Sequence, residues 1–109
     1  MAYDEGLAQR IRELLEEQRD LVEKKMFGGI AFMVQGNLCC GVLQDDLIVR
    51  IGPDGHAEAM ARPYARVFDI TGRPMKGWVL VGSEGCESDE ALEGWVRRGL
   101  RFALSLPAK

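Results

Sequence analysis

The stretch Thr71-Gly72-Arg73-Pro74-Met75-Lys76-Gly77 sets two glycines and two cations between apolar runs, the residue types from which a phosphate cradle is built. A nucleotide P-loop requires G-x-x-x-x-G-K-[ST] opening a helix, so that lysine, hydroxyl and helix amides converge on the phosphates. Gly72 and Gly77 have that separation, but Lys76 precedes the second glycine and a strand-like run beginning Trp78-Val79 follows it. No G-x-G-x-x-G fingerprint occurs either. The stretch therefore reads as a tight strand-to-strand connection, Pro74 fixing one dihedral and the glycines permitting unusual ones. Its functional alternative is a surface that presents Arg50, Arg73 and Lys76 to an anionic partner. Residues 50–78 hold five Lys or Arg against three Asp or Glu, a slight basic bias.

Other residue types that could do chemistry lack the neighbours that chemistry needs. The single histidine, His56, has no serine, cysteine or carboxylate placed by a motif to make it a base or a nucleophile's partner, and it reads as a surface residue. Cys39, Cys40 and Cys86 contain no C-x-x-C, and one histidine does not complete a usual zinc set. Strand neighbours point to opposite faces, so Cys39 and Cys40 are expected not to bridge, leaving free thiols of a reducing compartment. Asp45 and Asp46 fall at a hairpin tip, where acids are common. The acidic run Glu84–Glu93 lacks the alternating ligands and turn glycine of an EF-hand. Trp78 and Trp95 occupy strand and helix positions and read as core. The expectation is no catalytic, cofactor-binding or metal-binding residue, and no enzyme.

The elements that would position these residues follow from periodicity. Asp4 caps a first helix whose Leu7, Ile11, Leu14, Leu15 and Val22 recur at three- and four-residue steps. "VEKKMFGG" closes that helix, with Gly28 and Gly29 suited to a bulge or a close backbone approach. "IAFMV", "LCCGVL" and "LIVRI", joined by QGN and QDD, form an antiparallel meander. One meander face takes Phe32, Val34, Leu38, Cys40, Val42, Leu47, Val49 and Ile51. The other takes Ala31, Met33, Cys39, Leu43, Ile48 and Arg50. A short helix capped by Asp54 precedes Pro63, and the strands "ARVFDI" and "WVLV" follow. Ser88 caps a final helix that buries Leu92, Trp95, Val96, Gly99, Ala103 and Leu106, with Arg97, Arg98 and Arg101 towards its negative end.

The predicted fold is α+β, in two layers: a five-stranded antiparallel sheet in the order α-β-β-β-α-β-β-α, with helices packed on one face. Its 109 residues make one domain, 1–109, with no repeats, linker or low-complexity segment. The composition, 47% hydrophobic and 28% charged, is that of a soluble globular chain. A net charge of −3 argues against coating nucleic acid through the overall field. The charged start "MAYDEGLAQRIREL" lacks a signal-peptide core, and no apolar run reaches a membrane span of about 20 residues. A cytoplasmic protein without membrane contact is expected.

The blocks "KKMFGGIAFMVQGNLCCGV", "DLIVRIGP", "FDITGRPMKGWVLV" and "GWVRRGLRFALSLPAK" resemble, in order, the N-terminal domain of the TfoX/Sxy proteins, and the similarity covers almost the whole chain. The resemblance implies a small α+β domain with an antiparallel sheet and supplies no catalytic residues. Two-domain members of the family regulate competence genes in bacteria. Their second, helical domain has no counterpart in these 109 residues, and what it contributes is not carried over.

Two functional readings follow. The first is a non-enzymatic binding or regulatory module acting through protein contacts. The second is a small-molecule or nucleic-acid binder, in transcriptional or competence regulation, using the Arg50, Arg73 and Lys76 region. A homodimer is also expected: helices cover one sheet face, and Ala31, Met33, Leu43 and Ile48 leave an apolar patch on the other.

Overall fold

The computed structural model describes residues 3–26, 28–68 and 76–108. Helix α1 spans Glu5–Leu14 and is capped by Asp4, whose carboxylate accepts from the Leu7 amide at 3.1 Å. Strands β1 (Leu21–Met26), β2 (Gly29–Val34), β3 (Asn37–Leu43) and β4 (Asp46–Arg50) follow. Then come α2 (His56–Met60), β5 (Ala65–Val67), β6 (Trp78–Val81), a 3-10 turn at Ser83–Cys86 and α3 (Asp89–Ser105). The strands form one antiparallel sheet in the order β1-β2-β3-β4-β6-β5.

The α+β class matches expectation, but the sheet has six strands among the described residues rather than five. The extra one is β1. Val22 does not continue the helical stripe; it pairs with Met33 across β1 and β2 and is half exposed. α1 ends at Leu14, and its last turn is tied to the new strand by Arg12, which donates to both Glu23 oxygens at 2.6 and 2.7 Å. The meander turns are two residues long, Gln35-Gly36 and Gln44-Asp45, one shorter than expected at each corner.

One core lies between the sheet and the helices. Leu7, Ile11 and Leu15 from the α1 region, Ala59 from α2, and Leu92, Trp95, Val96 and Ala103 from α3 pack on Ile30, Phe32, Val34, Cys40, Val42, Leu47, Val49, Val79 and Val81. A bulge in the β2–β3 pairing corrects the expected faces. Phe32 opposes Cys40 while Met33 opposes Leu38, so Cys39 is the extra residue. Cys39 joins the core beneath α3, its thiol 3.9 Å from the Val96 carbonyl, and Leu38 moves to the outer face with Met33. Both neighbouring thiols are therefore on the helix side, against the simple alternation rule. Helix α3 crosses β3 at this point. A Cβ on Gly99 would stand 2.3 Å from the Cys39 carbonyl oxygen, a distance only glycine allows.

The outer sheet face is not the open apolar patch expected. Ala31 and Ile48 have no exposed surface, and Met33 and Leu43 are half-buried. On β5, Arg66 is directly opposite Leu80 and reaches Asp46 on β4 at 2.9 Å, two strands away across the same face. Of the four residues expected to form that patch, Met33 and Leu43 keep partial exposure.

Candidate functional site

The site is built where the two C-terminal helical segments meet the end of β4. Ser88 accepts from the Ala91 amide at 3.1 Å, and Asp89 and Glu90 lie in the first turn of α3, where the helix dipole favours acids. With Leu92, Trp95, Val96, Gly99 and Ala103 facing the core, the same periodicity turns Arg97, Arg98 and Arg101 outward. On the facing wall, α2 is a single short helix. Its cap position is Gly55 and no side chain bonds there, so Asp54 does not have the capping role expected of it.

Between these helices lies an open cleft of about 660 Å³, lined among others by Ile51, Glu58, Arg97, Arg98, Arg101 and Phe102. Arg98 donates two bonds to Glu58, at 2.6 and 3.0 Å, across 40 residues of sequence, and its guanidinium stands 5.4 Å from the Trp95 ring centroid. Arg62 adds a further bond to Glu58 at 3.0 Å. These hydrogen bonds, from Arg98 and then Arg62, lower the Glu58 carboxyl from its ordinary 4.5 to about 2. Arg97 is paired with Glu93 one turn back on α3 at 2.8 Å. Arg101 is exposed and makes no ion pair among the described residues.

Of the three residues singled out from sequence, Arg50 is half-buried at the mouth of β4. Its guanidinium lies 5.6 Å from the Trp78 ring centroid and 5.3 Å from that of Phe102, a cation between two π-faces. Lys76 is exposed beside Gly77, and Arg73 lies outside the described residues. The structure brings Lys76 and Arg50 to the same end of the sheet, because the Gly77 carbonyl accepts from the Ile51 and Gly52 amides at 2.8 and 3.1 Å. Gly77 has φ +92, and its amide donates to His56 Nδ1 at 3.0 Å. His56 is thus a half-buried tie between α2 and the strand-to-strand connection rather than a free surface histidine. Trp78 also stacks on Phe68, the centroids 5.4 Å apart and the planes 13° from parallel.

The thiols are all buried and free. A hydrogen bond with Cys39, reinforced by burial, holds the Cys40 thiol well above its ordinary range, and burial raises Cys86. Both are poor nucleophiles as a result. Among the described residues no three His, Cys, Asp or Glu side chains form a metal-binding group, and no helix is long and apolar enough to cross a membrane.

Sequence reasoning assigned the α3 arginines to the helix dipole and missed the cleft. The readable signal was their i, i+1, i+4 spacing, which puts Arg97 and Arg101 on adjacent turns of one side. The partner wall was not readable, because Glu58 meets Arg98 only through the fold.

The family model of the TfoX N-terminal domain matches residues 13–103. The chain belongs to that family. No curated protein and no solved structure matches it. Within this TfoX N-terminal domain, the matched span runs from the last turn of α1 through the buried length of α3, so the sheet, the His56–Gly77 tie and the cleft lining except Ser105 fall inside it.

Proposed function

We propose that this TfoX N-terminal domain is a non-enzymatic cytoplasmic module that binds another protein and regulates through that contact. The observation that carries the reading is the preset cleft. Arg98 is fixed by a two-bond pair to Glu58 and by the Trp95 ring, while Ile51 and Phe102 give the cleft apolar surface. The Arg98–Glu58 pair holds the two helices of the cleft together, and the exposed Arg97 and Arg101 beside that apolar surface suit recognition of a partner. Membership of a family that includes regulators supports the same reading.

The test is co-purification of the tagged protein from its cell of origin, with protein, RNA, DNA and metabolite content all measured. A stoichiometric protein that survives nuclease treatment is expected. Recovery of nucleic acid or a metabolite alone would overturn the reading in favour of a small-molecule or nucleic-acid binder using the Arg50, Arg73 and Lys76 region.

A further inference from the structure

We propose that the α2–α3 cleft takes an acidic peptide segment of a partner protein, gripped through carboxylates by Arg97 and Arg101, with a neighbouring apolar side chain on Ile51 and Phe102. This rests on the reading of the domain as a protein-binding module and adds the chemistry of what is bound.

Charge is the first reason. The cleft lining carries three arginines against one acid, Glu58, in a chain whose net charge is −3. Arg98 is committed to Glu58 by two bonds, but its neighbours are available. Arg101 has no ion pair among the described residues, and Arg97 has only an exposed i, i+4 contact with Glu93 that an incoming carboxylate can replace. Residues four apart on a helix have Cβ atoms about 6 Å apart, so the two guanidiniums can grip one carboxylate or two adjacent ones.

The rest of α3 favours a peptide over a polyphosphate. Its approach and first turns carry Glu84, Glu87, Asp89, Glu90 and Glu93, so the cationic surface is short and ends in an acidic stretch. A nucleic acid backbone needs a longer basic track, because its affinity is summed over many phosphates. Glu58 on the opposite wall also sets the orientation. Its carboxylate already holds Arg98 and Arg62, so the α2 side offers no spare cation to an acid, leaving Ile51 and Phe102 for an uncharged anchor.

The test is selection from a random peptide display library on the folded protein at physiological salt, followed by anisotropy with the labelled winners. Winners rich in Asp and Glu around one apolar residue are expected. Replacing their acids by amides should abolish binding, Arg101→Gln should weaken it about tenfold, and Arg97→Gln with Arg101→Gln should abolish it. Lys76→Ala should leave it unchanged, and circular dichroism checks that each variant is folded. The inference is overturned if no peptide is selected, if winners lack acidic enrichment, if the double arginine change has no effect, or if a thymidine oligonucleotide displaces the winners. A co-purifying protein that stays bound to the double variant would defeat the cleft assignment while leaving the protein-binding reading intact.

Discussion

Glu58 has a guanidinium on either side, and that decides how the cleft wall responds to acid. Its carboxyl is lowered from 4.5 to about 2, so its contribution to folding is complete above the unfolded value and is lost as the pH falls from 4.5 towards 2. Carboxyl NMR should show Glu58 titrating near 2; a midpoint near 4.5 would mean that Arg98 and Arg62 do not engage it in solution. Glu58 is exposed and Arg98 half-buried, so the pair serves to fix Arg98 more than to hold the fold together. Gly77 is the opposite case, a residue with no charge on which geometry depends. At φ +92, with an added Cβ 3.1 Å from the Gly52 carbonyl carbon, it accepts no side chain freely. Gly77→Val should cost about 1–3 kcal/mol in denaturant unfolding, whereas Lys76→Ala should be near neutral. Equal effects at the two positions would show that the connection is not held by backbone conformation.

At the scale of elements, the contact of α3 with the β3 bulge fixes the helix over the sheet. Gly99→Ala would drive a methyl group into the Cys39 carbonyl and should cost about 1–3 kcal/mol, with chemical-shift changes centred on Cys39, Cys40 and Val96. A neutral Gly99→Ala would mean that α3 can shift away without loss. The caps Asp4 and Ser88, the meander and the α3 stripe were legible because each depends on residues a few positions apart. β1 was not. Glu23, Lys24 and Lys25 suit a helix as well as a strand, and only pairing with β2 decides between them. The bulge was equally hidden, since "LCCGV" alternates acceptably either way and the choice is made by α3 pressing on Cys39. Much of the fold was therefore readable and most of the cleft was not: its ion pair joins residues 40 positions apart, on two helices separated in sequence by β5 and β6.

For the whole molecule, the outer face changes what one substitution should do. Ile48 pairs with Gly41 on one side and Leu80 on the other and has no exposed surface. Ile48→Glu should therefore destabilise the single chain by about 3–5 kcal/mol, by burying an unpaired charge, rather than separate a folded dimer into folded monomers. Light scattering combined with thermal melting distinguishes the two outcomes. A folded Ile48→Glu monomer would mean that this face is open after all.

The position of β6 between β4 and β5 also gives the domain a timetable. On the ribosome β5 is completed at Val67, yet the strand it pairs with among the described residues, Trp78–Val81, has not been made. Until it arrives, β5 lacks the strand it pairs with, and β4 shows a bare edge of hydrophobic strand, Leu47–Arg50, that the finished domain conceals. A nascent chain paused between these points is the form most open to wrong pairing. Released fragments ending at residue 68 should accordingly aggregate, while the full chain, with its last strand slotted into the gap, stays dispersed; a soluble, folded 1–68 fragment would show that the meander closes without help.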